Sequence, residues 1–185
     1  MRMAQTGALV IRYRAYFVRR LQEAAPAVHR DFSGGREELS LTYQTVSSVS
    51  DPTAAPQKIL EQLRDHQERH RQAELDSRQC LSGPHKDDLL VELDGRSAKT
   101  YGSQGQTRTA ALSLKLAQRD IFFQETGEYP VLLLDGVLSE LDARRQAFVL
   151  NHIQGGQIFI TCCEEEKLEG LEGGAAFHIH GGALV

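Results

Sequence analysis

Tyr101-Gly102-Ser103-Gln104-Gly105-Gln106-Thr107-Arg108-Thr109, followed by Pro130-Val131-Leu132-Leu133-Leu134-Asp135-Gly136-Val137-Leu138-Ser139-Glu140-Leu141-Asp142, is the stretch on which the reading of this 185-residue chain turns. Ser103 with Gln106 three residues on has the form of a capping box, so a helix begins there. Its Ala/Leu-rich continuation runs to about Phe123. Tyr129 to Asp135 is a short apolar run closed by an acid, which predicts a strand buried on both faces. Ser139 predicts the N-cap of a helix from Glu140 to about Ile153, with acids in the first turn. Gln157 to Thr161 (QIFIT) is again fully apolar. Buried strands alternating with helices predict an α/β fold with a largely parallel sheet.

Upstream the texture differs. Leu9, Tyr13, Tyr16, Phe17, Arg20 and Leu21 recur at steps of three and four, predicting a helix from about Ala8 to His29. Arg2, Arg12, Arg14, Arg19 and Arg20 make it basic. Ser33-Gly34-Gly35 breaks it. Glu38 to Thr45 alternates, with Leu39, Leu41 and Tyr43 on one side, as a half-buried strand does. Gln57 to about Gln79 is a polar helix whose thin stripe (Ile59, Leu60, Leu63, Leu75) suits packing on one neighbour, as in a protruding hairpin. Gly83-Pro84 is expected to end it. Leu89 to Leu93 is a second strand, closed by an Asp94-Gly95 turn. Phe177 to Ile179 is a candidate final strand.

Composition narrows the class. Hydrophobic residues make up 41% and charged residues 25%, so the chain is neither a disordered tail nor a low-complexity polymer. The net charge of −4 supplies no global field for nucleic acid, so any such contact rests on a local patch. Cys80, Cys162 and Cys163 make no disulfide framework and have no zinc spacing, which points to a reduced, cytoplasmic protein. No apolar run reaches the length of a membrane span, and the basic N-terminus has no signal-peptide core.

Three places carry chemistry. Asp135 ends an apolar strand, where open α/β sheets bind ligands, and a carboxylate there is sited to hold Mg²⁺ on a nucleotide. An Asp that simply forms the turn is the structural alternative. The helix N-terminus at Ser103-Gln104-Gly105-Gln106 offers free N–H groups beside an arginine, which suits a phosphate. A well-capped structural helix is the alternative. Ser139-Glu140-Leu141-Asp142 follows the strand and is accounted for as a helix start.

The order of the three resembles the C-terminal half of an ABC-type ATPase, in which a signature loop precedes a Walker B strand and a D-loop. Gly83-Pro84-His85-Lys86-Asp87-Asp88-Leu89, YGSQGQTRTAALSLKLAQ and PVLLLDGVLSELDARR together resemble the RecF family across essentially the whole chain. The resemblance implies the C-terminal half of an SMC-like ABC ATPase head plus a helical arm. The arm would be 1–82, and 83–185 would hold the signature loop, Walker B strand and D-loop. It implies a protein of DNA replication, recombinational repair and the SOS response. Such a protein binds ATP with Mg²⁺ and DNA at gaps or single-strand/double-strand junctions, works with RecO and RecR, and self-dimerises on ATP.

Residue by residue, the resemblance makes Ser103, Gln104, Gly105 and Gln106 contacts to a γ-phosphate held by the opposite subunit. Asp135 becomes the Walker B carboxylate serving Mg²⁺, Ser139 to Asp142 the D-loop at the dimer interface, and Thr161 a switch residue. Arg12, Arg14, Arg19 and Arg20 are candidate DNA contacts, with a solvated basic face as the alternative.

Two departures are expected to matter. No lysine follows a glycine, so no Walker A is present. Gly136 stands where the family carries a second acid that orients or deprotonates water, and glycine has no side chain for that. The chain is therefore expected not to hydrolyse ATP alone. The competing reading is a non-catalytic DNA-binding, partner-binding or dimerisation module derived from an ATPase. His85, Asp87 and Asp88 as metal ligands, and His178 with His180 as a metal pair, are weaker readings than a turn and a surface pair. Glu164-Glu165-Glu166 reads as a solvated helix start. The strand edges near Asp135 and Thr161 are expected to be exposed and apolar.

Overall fold

The computed structural model describes residues 2–45, 49–153, 155–164 and 174–185, the side chain of Arg2 excepted. They fall into two compact units, Met1–Ile121 and Phe122–Val185.

The first unit opens with α1 (Arg2–Ser33). Of the residues whose spacing predicts this helix, only Leu21 lies in the stripe it buries. Leu9, Tyr13 and Tyr16 are exposed, while Ala4, Ala8, Ile11, Ala15, Val18, Leu21, Ala25, Val28 and Phe32 form the buried stripe. Close approach explains the small residues. Ala4, Ala8 and Ile11 cluster with Val49 and with Ile59 and Leu63 of α2 (Pro56–Ser77). A Cβ at Gly7 would stand 3.2 Å from Pro84 Cδ and 3.5 Å from Leu63 Cδ1. Bulk placed here would push α2 away. Pro26 lies inside α1 and removes one helical donor, yet the buried stripe continues to Phe32.

The stripe of α2 is shorter than its spacing predicts: Ile59 and Leu63 are buried, whereas Leu75, expected on the same stripe, is 64% exposed. Burying each of the first two contributes about 1.5–3 kcal/mol. The helix stops at Arg78 in the left-handed conformation, before Gly83-Pro84 rather than at it. His66, on the buried side, bonds Ser82 Oγ through Nδ1 at 2.5 Å. Burial, with His70 and Arg69 adding, pushes its pKa down.

β1 (Leu39–Gln44), β2 (Asp88–Leu93) and β3 (Arg96–Ser97) form an antiparallel sheet in that order. Leu39 pairs Leu93 and Tyr43 pairs Leu89. The alternation is as predicted, with Leu39 and Leu41 buried. Asp94 and Gly95 both take positive φ, which the two-residue hairpin turn requires. Asp94 also accepts from the Glu38 amide at 2.9 Å. A four-residue α3 (Ala98–Tyr101) precedes α4 (Gln104–Thr126).

Helix α1 is tied to the rest through His29, which is fully buried. Its Nδ1 meets Ser113 Oγ of α4 at 3.1 Å and its Nε2 meets Glu37 Oε2 at 3.2 Å.

The second unit contains β4 (Leu132–Asp135), a 3-10 turn (Val137–Glu140), α5 (Ala143–His152) and β5 (Ile158–Thr161). β4 and β5 pair in parallel, Leu133 beside Phe159 and Asp135 beside Thr161. A hairpin of β6 (Ile179–His180) and β7 (Ala183–Leu184) closes the chain.

Three expectations are corrected here. The two apolar strands are not covered on both faces: Leu134 is buried, but Leu133 is 70% and Phe159 53% exposed. A parallel pair is buried on both sides only when both faces carry packed elements. The helix expected from Glu140 begins at Ala143 instead, because Asp142 and not Ser139 is its N-cap, accepting from the Arg145 amide at 3.0 Å. The strand expected at Phe177–Ile179 lies at Ile179–His180 and is not the last, since β7 follows it. Parallel pairing, as read for the apolar strands, is found in β4–β5, while the other described sheets are antiparallel. Glu165 and Glu166 lie outside the described residues.

Candidate functional site

The capping box forms as the sequence predicts. The Ser103 amide donates to Gln106 Oε1 at 2.9 Å, and the Gln106 amide donates to Ser103 Oγ at 3.2 Å. Thr107 Oγ1 donates to the Ser103 carbonyl at 3.0 Å, and Thr109 Oγ1 to the Gly105 carbonyl at 2.8 Å. Ser103 and Gln104 remain exposed, so the start of α4 is open to solvent. Gly102 sets the entry. A Cβ there would lie 2.5 Å from the Ala98 carbonyl oxygen, closer than any side chain can sit. Only glycine lets the chain turn from α3 into α4 at this distance.

In the second unit the carboxyl ends of β4 and β5 bring Asp135, Gly136 and Thr161 together. Parallel pairing places Thr161 directly beside Asp135. The Thr161 hydroxyl donates to Asp135 Oδ1 at 2.5 Å. The Gly136 amide donates to Thr161 Oγ1 at 3.0 Å and to the Thr161 carbonyl at 3.2 Å. Asp135 is exposed. One carboxylate and one hydroxyl oxygen make a hard donor pair. That is the partial set Mg²⁺ accepts when phosphates and water complete its shell. Among the described residues no group of three or more His, Cys, Asp or Glu stands ready to cage a metal. Gly136 is left-handed, with φ +65°, and the space where a Cβ would project is empty.

Directly after it, the 3-10 turn carries Ser139 and Glu140, and Leu141 leads to Asp142. Leu138 is fully buried and anchors the turn. Gln146, one turn into α5, donates through Nε2 to the Leu138 carbonyl at 2.7 Å and the Leu141 carbonyl at 3.0 Å. Sequence reasoning did not single Gln146 out. The only signal is its place four residues past an N-cap, facing back over the preceding turn. Gln146→Ala is expected to cost about 1–2 kcal/mol and to speed amide hydrogen exchange across 138–142. Unchanged exchange there would remove Gln146 from this role.

The four arginines part company. Arg12 and Arg19 are exposed and Arg20 is half-buried. Arg14 is also exposed, and it lines a cleft with Tyr43, Pro84 and Asp87. It donates to the Pro84 carbonyl at 2.5 Å and to Asp87 Oδ2 at 3.1 Å. Tyr43 donates to the same Asp87 oxygen at 2.6 Å. Burial, reinforced by Asp87, pushes the Tyr43 phenol well above its usual pKa, so it stays a donor. The segment read as Gly83 to Leu89 is thus clamped to α1 and β1. His85 and Asp88 look elsewhere, to the Cys80 carbonyl and the Leu89 amide. The Arg14–Asp87–Tyr43 cluster joins residues more than forty positions apart, and nothing in the local sequence signals it.

The comparisons follow this geometry. No protein-family model matches the chain. It is 44% identical over 186 residues to the DNA replication and repair protein RecF of Bacillus subtilis (strain 168), across 99% of this chain and 50% of that protein. It is 38% identical over 167 residues to that of Clostridium tetani (strain Massachusetts / E88), across 90% of this chain and 45% of the relative. The solved structure of the recombination mediator protein RecF-ATPrS in the RecFOR pathway superposes with a TM-score of 0.82 at 34% identity, covering 98% of this chain and 47% of that one. The RecF-ATP structure in the same pathway gives 0.82 at 32% identity, covering 100% and 48%. The chain spans about half the length of the curated relatives it matches. No helix among the described residues is long and apolar enough to cross a membrane.

Proposed function

From the premise that this chain belongs to the RecF family over the portion it spans, the C-terminal one, we propose that it supplies a signature loop, a Walker B carboxylate and a D-loop to a DNA replication and repair ATPase. The observation that carries the reading is the Asp135–Thr161–Gly136 hydrogen-bond cluster at the carboxyl ends of a parallel strand pair, where such folds place their ligands. Ser103 to Gln106 present a capped helix start to the γ-phosphate of ATP held by another subunit. Asp135 holds Mg²⁺, which when bound neutralises charge on the phosphates. Thr161 fixes the rotamer of Asp135, and Ser139 to Asp142 meet the partner subunit. Residues 1–82 serve as an arm and 83–185 as part of the head, with Arg12, Arg19 and Arg20 facing DNA. RecO and RecR are its partners in the pathway.

The exposed apolar face of Leu133 and Phe159 supports a further step. The relatives are about twice as long, and the rest of their chain is the natural cover for this face. Supplying the other half of the Bacillus subtilis relative as a separate polypeptide should give a stable complex by sedimentation. ATP should then promote pairing of two such complexes. Ser103→Arg is expected to block the ATP-dependent pairing and to leave the complex of halves intact, since Ser103 is exposed at a helix start. ATP-dependent pairing that survives Ser103→Arg would rule out the signature-loop assignment.

A second reading has one observation in its favour. Gly136 leaves the position after Asp135 without an acid. On that reading the chain is a binding and dimerisation module that carries no hydrolysis.

A further inference from the structure

Helix α2 carries two histidines one turn apart, His66 and His70. At i and i+4 they share one face of the helix. Their rings stack, with centroids 4.0 Å apart and planes 20° from parallel. Each ring uses its Nδ1 within the protein. His66 Nδ1 meets Ser82 Oγ at 2.5 Å, and His70 Nδ1 donates to the His66 carbonyl at 2.9 Å. A carbonyl only accepts, so that bond puts the proton of a neutral His70 on Nδ1 and the lone pair on Nε2. Neither Nε2 atom has a hydrogen-bond partner among the described residues.

An imidazole that ligates a metal has this form, with one nitrogen held by a protein group and the other left for the ion. Burial, with His70 and Arg69 adding, pushes the His66 pKa down, which favours the neutral ring a metal needs. The other charges acting on His66 do not oppose a cation. Arg69 is positive but paired with Asp65, and Glu74 adds a further negative charge. Glu74 lies one turn beyond His70 on the same face, and its Oε1 accepts from the Leu81 amide at 2.7 Å. A tetrahedral ion about 2.0–2.1 Å from each nitrogen needs them about 3.3 Å apart. Rings stacked at 4.0 Å need a small torsional adjustment to close on one ion. Imidazole pairs select divalent ions of the zinc and copper kind over Mg²⁺, which prefers oxygen.

We propose that His66 and His70 form a two-imidazole site on α2 for a divalent transition-metal ion of the zinc type. The two Nε2 atoms bind the ion, and water fills the remaining positions. No third His, Cys, Asp or Glu joins them among the described residues. Ser82 holds His66 from behind, so the ion ties two turns of α2 to the segment that follows the helix. The site uses none of the residues assigned above to nucleotide or DNA.

The test is calorimetric titration of the full chain with Zn²⁺, and with Mg²⁺ as the control. Cys162, Cys163, His178 and His180 also offer sulfur or nitrogen to Zn²⁺, and none of them is buried. A variant with Cys162→Ser, Cys163→Ser, His178→Ala and His180→Ala is therefore titrated beside the unaltered chain. Both are expected to bind Zn²⁺ at the α2 site and to give no comparable heat with Mg²⁺. In the fourfold variant, His70→Ala should weaken Zn²⁺ binding by at least about ten-fold. Ser82→Ala removes only the hydroxyl behind His66 and should weaken it about ten-fold. His70→Ala leaves the His66–Ser82 bond in place, and a melting curve without metal checks that it folds. As a second measurement, Zn²⁺ should slow amide hydrogen exchange over residues 66–82 in the unaltered chain and not in His70→Ala. Zn²⁺ affinity unchanged by His70→Ala, or binding that disappears in the fourfold variant, overturns the site.

Discussion

Gly136→Asp is expected to raise ATP hydrolysis by about 10²- to 10⁴-fold once the chain is paired with the other half of a RecF relative, the range a positioned general base contributes. The position follows the Asp135 carboxylate directly, and a Cβ placed there meets nothing within 4 Å. Its backbone is left-handed at φ +65°. A side chain in that conformation costs about 1–2 kcal/mol, least for Asp and Asn, whose short polar side chains bond locally. Gly136→Ala therefore serves as the control, since it carries the backbone cost without the acid. Turnover should rise only in the aspartate variant, and Asp135→Asn should abolish the gain. Equal turnover in Gly136→Asp and Gly136→Ala would show that position 136 is not the vacated acid position.

Asp87→Ala is expected to destabilise the first unit by about 3 kcal/mol, measured by urea unfolding. The Asp87 side chain is 2% exposed and receives both Arg14 and Tyr43. Removing it leaves the phenol, whose pKa burial has already raised, without its acceptor. Arg14 is 48% exposed and recovers part of its loss from water, which keeps the figure below that of a fully buried pair. Tyr43→Phe removes one donor to a charged group and should cost about 1.5–3 kcal/mol. The two changes share one oxygen, so the double variant should lose less than their sum. Strict additivity, or an Asp87→Ala loss under about 1 kcal/mol, would mean that the clamp does not hold this segment.

Local rules carry far in this chain because several of its features are short-range. A capping box needs only four residues, so Ser103 and Gln106 were legible in the sequence and bond each other as read. The Leu39–Leu41–Tyr43 alternation and the Asp94-Gly95 turn are set by pleat and by positive φ, which also need no distant partner. The order of SQGQ, LLLD and SELD carried the family, because several specific motifs in sequence are far less probable than any one of them.

Tertiary structure decided what depends on distance in the chain. Helical spacing fixes that α1 is a helix but not which side is buried. Its packing side is set by how closely α2 and Pro84 approach, and that selects Ala4, Gly7 and Ala8 over the larger Leu9, Tyr13 and Tyr16. Strand hydrophobicity predicts burial but not whether cover is present, so Leu133 and Phe159 are apolar and bare. The N-cap of α5 went to Asp142 because buried Leu138 holds Ser139 and Glu140 inside a 3-10 turn, leaving Asp142, the first polar side chain after that turn, to accept the Arg145 amide. Sequence alone determined which chemical groups this protein owns and in what order. Only the fold decided that Thr161 would bond Asp135 and that Arg14 would be spent on Asp87, because each is a contact between side chains far apart in the chain, and chain order does not fix such distances.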